Sequence, residues 1–384
     1  MKMYSSQIKL TNYTTCEKIV ASIVAPYREY LCQWKRAYIF GTKELGLKAY
    51  EGCMKQRIEV VRFIDNDTTK VGQKIRGIEI CNLDEIDTLE EGEIIIIATL
   101  SYWSEIQVQL EQRGIEQYIP YPILSLYSSC FAVADTCFQN LVENLWINRE
   151  VYIELFEKMA DETSRLVLDD ILNFRMSFNI NYLRHAYSLS TQGQVQYFDT
   201  EIIHFTEREV FVDAGAYKGE TTEAFIYQVK GNFNKIYVFE PDSQLMDGCR
   251  NTLKQHPNVV FYEAGTGNKE GTYQFTLTGG LGGKFCAQGK TTVKIYTLDK
   301  YIKEPITFIK MDVEGYEIET IQGAVNKIIE SQPKLAISAY HKATDLLDIV
   351  KLVKSIVPTY KVYLRHYTQT YFDTDLYFVK EEWE

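Results

Sequence analysis

Residues 211–222 read FVDAGAYKGETT. An apolar run of β-branched and aromatic residues turns through Gly215 and Gly219 into a stretch with helical composition. In open α/β sheets, a strand–turn–helix unit of this kind holds its ligand outside the carboxyl end of the strand. A pyrophosphate-binding turn needs G-x-G-x-x-G, because glycine at the second position lets the backbone approach the phosphates. Counting from Gly215, the second position is Tyr217 and the third is Glu220. A phenol and a carboxylate there obstruct and repel a pyrophosphate, so NAD and FAD are disfavoured.

The strand at 211–215 opens a regular alternation. Strand KIYVFEP, helix DSQLMDGCRNTLKQ, strand NVVFYEAG, strand ITFIKMDVEG, helix YEIETIQGAVNKIIES, strand KLAISAY and helix TDLLDIVKLVKSI follow, with a glycine-rich stretch around 279–283 between them. Two closing strands, YKVYLRHY and DTDLYFVK, are joined by so short a link that they must pair antiparallel. The expected sheet therefore has parallel strands finished by an antiparallel pair. A second alternation precedes it: RAYIF, helical ELGLKAYEGCMKQR, IEVVRFID, EIIIIATL and helical SEIQVQLEQRG. This predicts a smaller parallel-sheet domain. Between about 137 and 190 the strand signal fades into amphipathic helical spacing. The expected division is 1–135, an N-terminal α/β domain; 136–205, a helical connector; and 206–384, the second α/β domain.

The chain has 384 residues and a formal net charge of −11, which argues against nucleic acid as a partner, since binding there draws on Lys and Arg. Its eight cysteines are scattered without a C-x-x-C pair, and no His-x-His or comparable cluster signals a metal, so none is expected. The longest purely apolar run, IIIIA at 94–98, suits a strand buried on both faces and is too short to span a bilayer. With no apolar signal segment in MKMYSSQIKL, the expected location is the cytoplasm.

S-adenosylmethionine is a nucleotide ligand without a phosphate. It presents an adenine, a ribose diol, a sulfonium and an ammonium. Asp213, at the end of the first strand, is placed to attract the cationic amino-acid end, while Gly215 and Gly219 keep the turn close. Glu240 ends the next strand, followed by Pro241 and Asp242, and a carboxylate about twenty residues past such a turn accepts bonds from ribose hydroxyls. Glu263 and Ala264, ending the third strand, would lie along the adenine. The structural alternative for Asp213 and Glu240 is capping of helix N-termini.

VFVDAGAYKGETT, VFEPD, TFIKMDVEGYE, SAYHK, YLRHY and DTDLYF, in this order from the QYF at 196–198, resemble the FkbM family of S-adenosylmethionine-dependent methyltransferases. The resemblance implies a class I methyltransferase fold, with a seven-stranded sheet ending in an antiparallel pair. It also implies O-methylation of a sugar, glycoconjugate precursor or related metabolite, as in polysaccharide biosynthesis. Carried over by position, its cofactor residues are Asp213, Gly215, Tyr217, Gly219, Glu240, Pro241, Asp242, Glu263, Ala264 and Asp312. Asp312 and Glu314 follow the fourth strand, beside the expected methyl group. His341, just after the fifth strand and within the YHK motif, is placed to remove the acceptor's proton, the role a neutral imidazole most often plays. Asp312 or Glu314 is the alternative base. Glu317 reads equally as the acidic first turn of a helix, and His366 as a structural residue, with Arg365 and His366 alternatively lining the acceptor cleft.

The earlier turn, GTKELG at 41–46, resembles Rossmann-like units found beside sugar-modifying enzymes. Gly41 and Gly46 hold the first and third signature positions, Lys43 replaces the middle glycine, and Asp65 stands where a ribose-binding carboxylate would. The expectation is a packing or oligomerisation role rather than bound NAD, with a nucleotide-sugar or other phosphate ligand, paired with the Lys43 ammonium, as the alternative. Two other functions stay open on the sequence: an inert nucleotide-sugar-binding or scaffolding protein, and an oxidoreductase using the N-terminal turn.

Overall fold

The computed structural model describes residues 3–277, 283–285 and 291–380, so residues 279–282 of the glycine-rich segment lie outside the described residues. The chain divides into two compact units. One comprises Met1–Ile153, Leu168–Tyr187 and Thr368–Phe372, the other Glu154–Val167, Ser188–Tyr367 and Asp373–Glu384.

The first unit holds β1 (Arg36–Phe40), β2 (Glu59–Ile64), β3 (Lys74–Ile75), β4 (Ile78–Cys81), β5 (Glu93–Ile97) and β6 (Tyr118–Pro120) in the order β3-β4-β2-β1-β5-β6. Every pairing is parallel except β3 with β4. All five residues of β5 are buried, including Glu93, whose carboxylate pairs with Arg36, so the isoleucine run is a central strand covered on both faces. Three short helices, Ser5–Asn12, Cys16–Val24 and Arg28–Gln33, precede β1, outside the elements read from the sequence. Pro122 does not break the chain after β6. It sits in the first turn of a helix, Tyr121–Tyr127, where its missing N–H costs nothing. Four helices follow, Leu141–Ile147, Arg149–Lys158, Glu162–Ser177 and Asn181–Ser190, as the helical spacing predicts.

The second unit carries β7 (Val210–Ala214), β8 (Lys235–Phe239), β9 (Val259–Tyr262), β10 (Gly265–Thr266), β11 (Gly271–Leu277), β12 (Gly283–Phe285), β13 (Thr291–Tyr296), β14 (Phe308–Met311), β15 (Lys334–Ser338), β16 (Lys361–His366) and β17 (Thr374–Val379). Its seven-stranded sheet runs β16-β17-β15-β14-β7-β8-β9, and β10-β13-β11-β12 form a small separate sheet. In the large sheet β9, β8, β7, β14 and β15 pair in parallel, and β17 pairs antiparallel with both β15 and β16. The expected antiparallel end is therefore present. Strand order reverses between β7 and β14, and the crevice outside their carboxyl ends is the switch point where such sheets bind ligands. Beneath it, Phe211 lies 4.4 Å from Phe225 and 4.9 Å from Phe308, ring centre to ring centre, and all three are fully buried. Each such ring contributes about 2–3 kcal/mol by leaving water, which anchors β7 and β14 to the helix Glu220–Gln228.

Candidate active site

The turn after β7 is pressed against the end of β14. Gly215 adopts φ +82°, and a Cβ there would lie 1.8 Å from the Asp312 carbonyl oxygen. Glycine is required on both counts. Gly219, at φ +88°, begins the helix Glu220–Gln228 in the left-handed conformation. Tyr217 between them is also left-handed, at φ 53°, an uncommon state for a side chain this large. Its N–H donates to Glu240 Oε2 at 3.0 Å, which fixes the turn onto the end of β8.

Glu240 is buried, and its other oxygen accepts from the Asp242 N–H at 2.9 Å. Burial raises its pKa from the ordinary 4.5 to about 7, against the pull of those two N–H groups and of Lys310. Pro241 is partly exposed, and Asp242 caps the helix Ser243–Leu253 by accepting from the N–H groups of Gln244 and Leu245. Its carboxylate has the capping role that is the structural alternative for an acid at this position. Glu263 lies 3.6 Å from Arg250 at the surface, and Ala264 is fully buried beside it.

Asp213, expected to attract the cationic end of the cofactor, has partners within the chain. Its carboxylate is wholly buried, accepts from Thr222 Oγ1 at 2.7 Å, and lies 3.2 Å from the ammonium of Lys310 on β14. Lys310 is itself buried and donates to the Gly215 carbonyl at 2.6 Å. Burial works to discharge this ammonium, but Asp213, Asp312 and Glu240 outweigh it and raise its pKa. A positively charged ligand group thus meets an Asp213 already neutralised by Lys310, and the pair's direct action is on the turn. A lysine inside the apolar run FIKM was the sequence signal for such a partner, since a buried ammonium needs one.

Past β14, Asp312 and Glu314 stand at the switch point, partly exposed. Asp312 accepts from Tyr197 at 3.0 Å and Tyr340 at 3.4 Å. Burial, then the charge of Asp312, raises the pKa of both phenols well above 10, so they remain donors. Glu314 has left-handed backbone, φ 56°, and Glu317 folds back to accept from the Val313 and Gly315 N–H groups at 3.0 and 3.3 Å. His341 follows β15 and is 8% exposed. One ring nitrogen, Nδ1, lies 3.1 Å from Glu317; the other, Nε2, lies 3.5 Å from Asp312 and 3.7 Å from Glu314. Burial would lower its pKa, but Glu317, Asp312 and Glu314 prevail and raise it to about 10. The carboxylates around His341 thus favour its protonated form over the neutral imidazole expected of a base. Arg365 and His366 lie apart from this cluster. Arg365 binds Asp161 and Asp199, and His366 contacts Thr374 Oγ1 at 2.8 Å.

The N-terminal turn is closed in a different way. Asp65 accepts from Thr42 Oγ1, from Lys70 at 2.7 Å and from the Asp67 N–H at 2.9 Å. A Cβ on Gly46 would lie 2.1 Å from the Gly41 carbonyl oxygen, so that glycine serves helix–turn packing. With Asp65 engaged and Lys43 at the middle position, adding NAD or NADP is expected to leave the melting temperature within about 1 °C in scanning fluorimetry. A rise of several degrees would show instead that the turn opens for a dinucleotide.

The strand order and the loop constellation at β7, β8 and β14 define a class I methyltransferase fold. Residues 213–355 match the family described as methyltransferase FkbM domain, and residues 33–120 match the family described as C2185-like, N-terminal. Methyltransferase FkbM from Methylobacillus flagellatus KT superimposes with a TM-score of 0.78 at 24% identity, over 97% of each chain. A hexuronic acid methyltransferase, AglP of Haloferax volcanii, is 25% identical over 155 residues, which is 38% of this chain and 62% of that protein. The chain therefore spans less than two thirds of that relative. Among the described residues, no helix is long and apolar enough to cross a membrane.

Proposed function

We propose that the C-terminal unit transfers the methyl group of S-adenosylmethionine to a hydroxyl of a sugar or glycoconjugate precursor. The observation that carries the reading is Glu240. Both its oxygens are held by backbone N–H groups at the end of β8, with lone pairs left for a ribose diol. The hexuronic acid substrate in the name of the Haloferax relative supports a sugar-type acceptor. The acceptor oxygen attacks the sulfonium methyl in line. The O–CH3 bond forms as the S–CH3 bond breaks, leaving S-adenosylhomocysteine, and positioning supplies much of the rate. Glu314 takes the hydroxyl proton in this scheme. Of the two carboxylates that follow β14, Glu314 is the more exposed, its side chain 31% accessible against 25% for Asp312. Calorimetric titration with S-adenosylmethionine tests the reading. Incubation with labelled cofactor and a panel of nucleotide sugars, read by mass spectrometry, identifies the acceptor. Failure to bind the cofactor at millimolar concentration would overturn the reading.

Glu240 also gives a pH signature. Its folded pKa, about 7, lies above the ordinary 4.5. Its contribution to stability is therefore complete below 4.5 and lost as pH rises through 7. In calorimetry, the unfolding free energy of the native chain relative to Glu240→Gln is expected to fall between pH 5 and 8, by on the order of 3 kcal/mol. Over the same range cofactor affinity is expected to rise about tenfold in the native chain, because the carboxylate is the better acceptor for ribose, and to stay flat in the variant. Parallel curves for the two proteins would contradict both expectations.

A further inference from the structure

The cluster around His341 holds more carboxyl groups than the methyl-transfer scheme uses. Asp312, Glu314 and Glu317 surround one imidazole, with Asp345 interacting with Glu317, and Asp373 and Asp375 with Asp312. Three buried atoms in it, Glu317 Oε2 and both ring nitrogens of His341, make no hydrogen bond. Glu317 is 1% exposed, with both N–H bonds on Oε1 and none on Oε2; His341 is 8% exposed, its Nδ1 ion-paired at 3.1 Å with Glu317 Oε1 and its Nε2 3.5 Å from Asp312 and 3.7 Å from Glu314. Orphaned polar atoms at this depth call for a ligand. One donor atom from each of Asp312, Glu317 and His341 can be chosen so that all lie within 4.8 Å of one another. Donors sharing one ion sit about 3–3.4 Å apart at bonds near 2.1 Å, so modest side-chain rotation closes the set.

We propose that Asp312, Glu317 and His341 cradle a single divalent cation, open to the acceptor on the side of Asp312. An imidazole with two carboxylates favours a transition ion of the manganese, iron or zinc kind over calcium or magnesium. Bound beside Glu314, the cation polarises the acceptor hydroxyl, so that the proton passes to Glu314 as the oxygen takes the methyl group. This catalytic role rests on the methyl-transfer reading; the binding of the cation rests on the cluster alone.

The test uses the full chain, stripped of metal and titrated with Mn2+ under electron paramagnetic resonance. The expected result is one bound ion per chain, with the nitrogen coupling of an imidazole in the pulsed spectrum. The coupling should vanish in His341→Gln, and affinity should fall more than about tenfold in Glu317→Gln. No binding at millimolar Mn2+, or a bound ion without nitrogen coupling, overturns the site. The native spectrum alone decides this, so a variant that fails to fold does not blunt the test. Calorimetry with S-adenosylmethionine on the metal-free chain separates the two ideas. Cofactor binding without Mn2+ binding removes the cation and leaves methyl transfer, whereas Mn2+ binding without cofactor binding does the reverse.

Discussion

Asp213→Asn is expected to destabilise the second unit by about 3 kcal/mol, seen as a fall of roughly 2–4 °C in melting temperature per kcal/mol. The substitution keeps the shape of the side chain and its bond from Thr222 but removes the charge opposite Lys310, whose ammonium has no route to water. Breaking one side of a buried pair costs about 3–5 kcal/mol, and the lower end applies because Asp312 and Glu240 also stabilise the ammonium. Asp213→Asn combined with Lys310→Met should recover most of the loss, since a buried pair replaced by uncharged groups of similar volume is often neutral. The double variant also loses the bond from Lys310 to the Gly215 carbonyl, so its turn should hold the cofactor less well even where the fold is restored. If Asp213→Asn kept full stability and lost only cofactor binding, the carboxylate would be a direct ligand after all, as the sequence alone suggested.

That difference marks where sequence reading stops. The strand runs of the large sheet are legible because each is an apolar β-branched or aromatic stretch closed by Gly, Pro or an acid, and the link between β16 and β17 fixes the antiparallel end. The turn after β7 is legible too, since the glycine at 215 marks a backbone conformation that its own position determines. What a carboxylate pairs with is a tertiary fact. Asp213 meets Lys310 because β7 and β14 are neighbours, and His341 meets Glu317 because the turns after β15 and β14 converge. No spacing along the chain encodes either pair. The helices before β1 went unread for another reason. They are short and interrupted by Pro26, and helices of that length depend on packing rather than on propensity.

Glu314→Gln is expected to lower kcat by about 10²–10⁴-fold while leaving the affinity for S-adenosylmethionine nearly unchanged. The amide preserves the size of the side chain and removes only its capacity to take a proton. Glu314→Gly sharpens the point, because the backbone at this position is left-handed, φ 56°, where glycine is at ease and glutamate is strained. Relief of that strain should offset much of glycine's entropic cost, so Glu314→Gly is expected to keep the native melting temperature within a few degrees while activity falls as far as in Glu314→Gln. A glutamate retained for the fold alone would give the opposite pattern, with stability lost and residual turnover following the folded fraction. Strain of this kind persists where the surroundings hold it in place, and it gathers at sites of chemistry. Here the Val313 and Gly315 N–H groups bound to Glu317 supply the restraint, locking the residues on both sides of Glu314. Activity unchanged in Glu314→Gln would move the proton to Asp312, and the same assay on Asp312→Asn would then show the larger loss.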